Sequence, residues 1–236
     1  MSDFATIELS AKGKNALGFE LLTTLRGELA AAAGRPLLLT GAGDAFSAGL
    51  NLKEVVAMDH AAMDRFLRLL EDTVVALLTH PAPTVAAVNG HAIAGGAVLA
   101  RCCDVAIAAE NPRARIGLNE VAIGLKFPPR TFKAMAHKLP AHHHAEVLLG
   151  AGLHSPQGAL RLGLVDAVSA DCRADATARL QTLASHPADA YAATKAALLA
   201  GVTDVTEAET QAFIDHVVPT WTSDRIRAKI REILGG

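Results

Sequence analysis

The stretch from Thr84 to Ala100 limits what this chain can fold into more than any other. Thr84-Val85-Ala86-Ala87-Val88 is a short apolar run that reads as a buried strand. Asn89-Gly90 breaks it, and the pair Gly95-Gly96 opens a second apolar run that reads as a helix. A glycine pair at such a junction leaves backbone N–H groups free at the helix start, where an anion or a developing oxyanion is held. Its other reading is close packing of helix on strand.

Strand, loop and helix alternate along the rest of the chain, which predicts an α/β fold. Thr6-Ile7-Glu8-Leu9 alternates as a strand, and Phe19 to Ala33 carries Phe19, Leu22, Leu25 and Leu29 at helical spacing. Leu37 to Thr40 is a buried strand, followed by a glycine-rich loop from Gly41 to Gly49. Ala61 to Thr79 is an amphipathic helix with Phe66, Leu69, Leu70, Val74 and Leu77 on its apolar side. Strands are expected at Val105–Ala108 and Leu164–Val168, and a helix start at Ser155-Pro156. Residues 172–236 read as helical, with Leu180, Leu183, Ala192, Ala196, Leu199, Phe213 and Val217 as the buried face.

Hydrophobic residues make up 51% of the 236 and charged residues 19%, which excludes a disordered chain. The net charge of -2, with scattered Lys and Arg, argues against nucleic acid or an anionic membrane as partner. Cys102, Cys103 and Cys172 are odd in number and lack framework spacing, so reduced thiols are expected. Met1-Ser2-Asp3-Phe4 has neither a basic start nor an apolar stretch, and the reading expects a cytoplasmic protein.

The loop from Gly41 to Gly49 does not match nucleotide-binding or nucleophile-elbow patterns: Phe46 stands where G-x-G-x-x-G needs glycine, and Ala45 where G-x-S-x-G needs it. It is either a tight turn or a row of backbone N–H groups facing a ligand at a strand's carboxyl end. Glu120, in Ile116-Gly117-Leu118-Asn119-Glu120, is either a helix-start acid held by local amides or a general acid/base whose pKa apolar surroundings raise. The triplet His142-His143-His144, with His137 and His154, splays around a helix and predicts no metal site. His91, Cys102 and Cys103 read as structural.

Several segments in fixed order resemble the crotonase, or enoyl-CoA hydratase/isomerase, family. Asn15-Ala16-Leu17 resembles its N-A-L motif, and Phe46-Ser47-Ala48-Gly49-Leu50-Asn51-Leu52-Lys53 its F-[CS]-A-G-x-D-[LI]-K loop. Pro83 to Gly90 with Gly95-Gly96 resembles its P-x-[IV]-A-x-[IV]-N-G…G-G segment, Cys103-Asp104 its C-D pair, and Ala159 to Asp166 its A-x-x-x-G-[LI]-V-[DN] element. The resemblance implies a spiral core of ββα turns over 1–188 and a C-terminal helical region over 189–236 that builds trimers or dimers of trimers. It implies an acyl-CoA substrate, no further cofactor, and a thioester carbonyl held by the N–H groups of Leu50 and Gly95. Lys12, Lys14, Ala48, Asn51 and Lys53 fall where relatives contact CoA, and Asn51 replaces the usual Asp. Phe66, Leu70 and Val98 are expected to line the acyl pocket.

Hydratases of this family use two glutamates; the first position holds Val98 here, and the second holds Glu120. Gly117-Leu118-Asn119-Glu120 with Leu125 to Pro128 resembles the 3,2-enoyl-CoA isomerases, which work with that single glutamate. The expectation is therefore a 3-enoyl-CoA to 2-trans-enoyl-CoA isomerase of fatty-acid oxidation. The alternatives are a hydratase, decarboxylase or thioesterase of the same family, or a catalytically silent acyl-CoA-binding subunit.

Overall fold

A computed structural model describes residues 4–32 and 34–235. Met1–Asp3 and Ala33, the last residue of the expected first helix, lie outside the described residues. The chain winds as repeated strand–strand–helix turns. After β1 (Ala5–Leu9), the turn α1 (Lys12–Asn15) and α2 (Phe19–Ala32), β2 (Leu37–Gly41) passes into β3 (Ala45–Ser47), then α3 (Leu52–Val55) and α4 (His60–Leu78). β4 (Thr84–Val88) passes into β5 (His91–Ile93) and α5 (Gly95–Cys102). β6 (Val105–Ala109) passes into β7 (Ile116–Gly117) and α6 (Glu120–Ile123). Then come α7 (Pro129–Lys138), α8 (Pro156–Arg161) and β8 (Ala167–Ser169). The helices α9 (Cys172–Ala184), α10 (Ala188–Leu199), α11 (Glu207–Ala212), α12 (Val218–Trp221) and α13 (Asp224–Ile233) complete the chain.

Two parallel sheets result. One has the order β1-β2-β4-β6-β8, and the other β3-β5-β7. Each of the three turns therefore gives one strand to each sheet. The larger sheet is buried on both faces, which explains its unbroken apolar strands. Leu37, Leu39, Ala86 and Val88 face the main core, with α2, α4 and α5. Leu38, Val85, Ala87 and Ile107 face the other way, onto Cys172, Ala176 and Leu180 of α9. This is the alternation a pleated strand imposes.

The crossing between sheets needs close backbone approach. At Gly90 a Cβ would overlap the Asp44 carbonyl oxygen, so no other residue fits without displacing the 44–45 backbone. Two asparagines lock this corner. Asn89 Nδ2 donates to the carbonyls of Gly41 and Gly43 at 2.9 and 3.0 Å, and its Oδ1 accepts from the Gly41 N–H at 3.1 Å. Asn15 Nδ2 donates to Ala42 and Ala45 carbonyls at 2.9 and 2.8 Å.

The strand expected at 164–168 lies at Ala167–Ser169 instead, because Leu164 and Val165 pack in the core while Asp166 accepts from the Ala106 N–H at 2.7 Å and from Arg101 at 2.9 Å. The α10 face also differs from expectation. Ala196 is exposed, Ala192 and Leu199 are half-buried, and the buried residue is Lys195. Its ammonium reaches the Asp104 carboxylate at 2.8 Å, which also accepts from Tyr191 Oη at 2.9 Å and Thr84 N at 2.8 Å. Removing one partner of a buried pair leaves the other charge uncompensated. Lys195→Met is expected to lower the unfolding free energy by about 3 kcal/mol, read from urea denaturation.

Phe213, Val218, Trp221, Ile226 and Ile230 join the same cluster as α4 and α5. Arg227 donates to the Met58 carbonyl at 2.9 Å, and the Arg68 guanidinium lies 5.6 Å over the Phe213 ring. Among the described residues no helix is long and apolar enough to cross a membrane.

Candidate active site

The smaller sheet builds the site. Its three strands are parallel, so their carboxyl ends lie side by side, where α/β proteins place ligands. Leu50 follows the end of β3, Gly95 the end of β5, and Glu120 the end of β7. The two glycine loops and the lone acid of the sequence are thereby brought to one place. Leu50, Gly95, Val98, Glu120, Ala48 and Leu70 all line one cavity of about 230 Å³.

Backbone geometry presents the two N–H groups. Leu17 donates to the Gly49 carbonyl at 2.8 Å, and Asn51 N–H donates to the Leu17 carbonyl at 2.9 Å. This parallel bridge leaves the Leu50 N–H on the opposite side of the strand. Ala94 takes φ 49°, a left-handed value that costs an alanine energy. Its own N–H donates to the Gly117 carbonyl at 2.8 Å, which ties the junction to β7. Gly95 then opens α5, where the first N–H groups have no intrahelical acceptor.

Glu120 is 6% exposed, and its Oε2 has no hydrogen-bond partner among the described residues. Burial pushes its pKa up to about 7, against the opposing hydrogen bond from its own backbone N–H. One oxygen of this carboxyl, Oε2, is thus left without a local amide. A carboxyl group poised near neutrality suits proton transfer in both directions. If the carboxylate form takes the proton, kcat/KM rises with pH through about 7 and levels off above it; a pH–rate profile on the wild type checks this.

Other residues fall elsewhere. Phe66 is fully buried one helical turn before Leu70 and meets Phe19 edge-on at 5.2 Å between ring centroids, so it belongs to the core and not to the cavity wall. Lys12 and Asn51 line a second cleft of about 570 Å³. Asn51 is engaged with Glu54, to which its Nδ2 donates at 2.6 Å. Lys14 is exposed and pairs with Asp44 at 3.2 Å, holding that carboxyl below its ordinary range. Lys53 is exposed.

The histidine triplet gathers no metal site among the described residues: His144 bonds the Leu139 carbonyl at 3.2 Å. His91 Nδ1 accepts from the Arg115 N–H at 3.2 Å. Burial pushes the Cys102 and Cys103 thiols up to about 12, where they are inert.

The cavity also has walls that no local pattern announces. Thr131 and Trp221 line it. Thr131 is placed by Glu71 of α4, whose Oε1 accepts from the Arg130 N–H at 2.6 Å at the start of α7. Trp221 is anchored by its Nε1–H, which donates to the Lys126 carbonyl at 3.0 Å. Trp221 is the single tryptophan of the chain, and that rarity is the one signal it offers.

The sequence matches the family model described as enoyl-CoA hydratase/isomerase over residues 2–231. This chain belongs to the enoyl-CoA hydratase/isomerase family. Family members of both reaction names are similar to it. Mouse mitochondrial enoyl-CoA delta isomerase 1 is 38% identical over 135 residues, which is 57% of this chain and 46% of that protein. The chain's match thus spans about half the length of that curated relative. The crystal structure of human mitochondrial delta3-delta2-enoyl-CoA isomerase superposes with a TM-score of 0.86 at 26% identity, covering 98% of this chain and 92% of that one. The enoyl-CoA hydratase EchA3 from Mycobacterium ulcerans superposes at 0.82 with 26% identity, covering 94% and 96%. The enoyl-CoA hydratase/isomerase fold, a ββα spiral with helices at its C-terminal end, is therefore the fold of this chain.

Proposed function

We propose that this enzyme moves the double bond of a 3-enoyl-CoA to give the 2-trans-enoyl-CoA, with Glu120 as the one acid/base group. The observation that carries the reading is a buried carboxyl, its Oε2 without a hydrogen-bond partner, on the wall of an apolar cavity that Val98 also lines. The shift removes a proton at C2 and returns one at C4. One carboxylate placed between the two carbons performs both steps. The Leu50 and Gly95 N–H groups receive the charge that develops on the thioester oxygen, so the intermediate dienolate is stabilised where it forms.

Val98 supports isomerisation over hydration. Adding water requires a second group to hold and orient it, and a valine side chain offers no lone pair or donor. Lys12, Lys14 and Lys53 are proposed to meet the CoA phosphates, Lys14 exchanging Asp44 for phosphate. Association into trimers belongs to the same proposal; Leu149 and Leu198, 72% and 65% exposed, offer apolar surface for it.

The reading is tested by product analysis with three thioesters supplied separately: a 3-enoyl-CoA, a 2-trans-enoyl-CoA and a malonyl-type CoA. Conversion of the first alone supports it. Rapid hydration of the second or decarboxylation of the third points to the other reactions of the family, and binding without turnover of any to a silent subunit.

A further inference from the structure

Among the described residues, six buried side-chain polar atoms have no hydrogen-bond partner. Three of them are oxygens of residues that line a single cavity, the one that holds Glu120: Asn119 Oδ1, Glu120 Oε2 and Thr131 Oγ1. The other three are guanidinium or ring nitrogens of Arg101, His154 and Arg227, none of which lines it. A buried polar atom left unpaired costs its full desolvation, so native folds retain few. Their gathering on one cavity says that what enters it supplies the missing partners. Glu120 meets its partner in the proton it moves, and Asn119 is its neighbour in the chain. Thr131 stands apart from both, on α7, and the proposed reaction gives its hydroxyl no task.

Thr131 is only 3% exposed. Other helical threonines of this chain turn the hydroxyl back to the carbonyl four residues earlier: Thr73 to Leu69 at 2.7 Å, Thr177 to Arg173 at 2.8 Å and Thr182 to Ala178 at 3.0 Å. Thr131 lacks that route, because α7 begins at Pro129 and the residue four back, Phe127, precedes the helix. The carboxylate that places it is taken by the backbone: Glu71 Oε1 accepts from the Arg130 N–H at 2.6 Å and the Thr131 N–H at 3.4 Å. The hydroxyl is left for a ligand.

The rest of the wall decides that ligand's chemistry. Leu70, Ile123, Leu125, Phe127 and Leu153 offer surface for methylene groups. Among the described residues no Lys, Arg or His lines the cavity, so a carboxylate tail would have no counter-ion and would meet the charge of Glu120. A hydroxyl is neutral and both donates and accepts, which matches the Thr131 hydroxyl whichever way its proton points; a keto oxygen only accepts. We propose that the acyl chain taken by this cavity carries a hydroxyl beyond C4, and that Thr131 is the residue that selects it. This rests on the reading of the cavity as the acyl site of an isomerase.

The test uses 3-octenoyl-CoA and its forms hydroxylated at C5, C6, C7 or C8. One hydroxylated form is expected to exceed the unsubstituted thioester in kcat/KM by roughly 10-fold or more. Thr131→Val keeps the shape, removes the hydroxyl and should reduce that ratio roughly 10- to 100-fold, while Thr131→Ser should keep it. Thr131→Val should also raise the urea midpoint of the free protein, since it removes an unpaired buried hydroxyl; a lowered midpoint marks a threonine kept for the fold and overturns the proposal. Calorimetric binding of the unreactive octanoyl-CoA and its hydroxylated forms separates the proposal from the reaction. If no 3-enoyl-CoA is converted, the isomerase reading fails, but a tighter hydroxylated form whose advantage is lost in Thr131→Val still upholds the site. A wild type that treats all forms alike overturns it without any variant having to fold. So does a preference that survives Thr131→Val, or one for the oxo over the hydroxylated form.

Discussion

Glu120→Gln is expected to lower isomerisation by at least about 10³-fold while leaving acyl-CoA binding nearly intact and making the protein more stable at pH 8. The activity loss follows from the absence of a substitute: among the described residues Glu120 is the only Asp or Glu on the cavity wall, and a carboxamide cannot take a proton from carbon at neutral pH. The stability gain follows from linkage. Burial raises the folded-state pKa of Glu120 from 4.5 to about 7. Its favourable contribution is complete below the unfolded value and is lost as pH rises through the folded one. At pH 8 the wild type holds an ionised, desolvated carboxylate, which the glutamine variant does not. The variant should therefore match the wild type near pH 4.5 and exceed it by about 3 kcal/mol above pH 7, in urea titrations across that range. A variant that loses activity and gains stability identifies a residue kept for chemistry at the fold's expense.

Gly96→Val is expected to lower kcat by about 10²- to 10³-fold through the two backbone donors and not through Glu120. A Cβ at Gly96 would overlap the Ser47 carbonyl oxygen. Ser47 cannot yield without consequence, because its Oγ donates to the Asn15 carbonyl at 2.8 Å and accepts from the Gly49 N–H at 3.2 Å. Displacing it moves the loop that carries Leu50, while α5, which carries Gly95, is pushed the other way. Overpacking should also cost about 1–3 kcal/mol of stability. Kinetics must be read at a temperature where circular dichroism shows the variant folded. The residual activity should keep its inflection near pH 7, which separates loss of the oxyanion donors from damage at Glu120.

What could be read from the sequence, and what could not, divides along physical lines. β4 was legible because all five of its residues are buried, so the apolar run is unbroken. The strands β3, β5 and β7 were not; they are two or three residues long and exist only by pairing with one another across long stretches of intervening chain. The residues of the site were nameable from motifs, since Leu50, Gly95 and Glu120 each sit in a local pattern. Their convergence was not, because it depends on those three short strands. Phe66 and Leu70 share one apolar helix face in the sequence; in the fold Phe66 packs against the ring of Phe19, while Leu70 lines the cavity. Lys195 breaks the rule that lysine is exposed, and its partner Asp104 lies 91 residues away. Trp221 reaches the site through folding-back of the C-terminal helices, for which no periodicity gives a sign.

The central claim is that one buried carboxylate carries the proton from C2 to C4. It is tested most directly with a 3-enoyl-CoA deuterated at C2, in ordinary water, with the 2-trans-enoyl-CoA product analysed under single-turnover conditions. A Glu120 side chain only 6% exposed exchanges slowly with solvent, so deuterium should appear at C4 of the product. Product with no deuterium at C4, formed at the same rate by Glu120→Gln, would contradict the account.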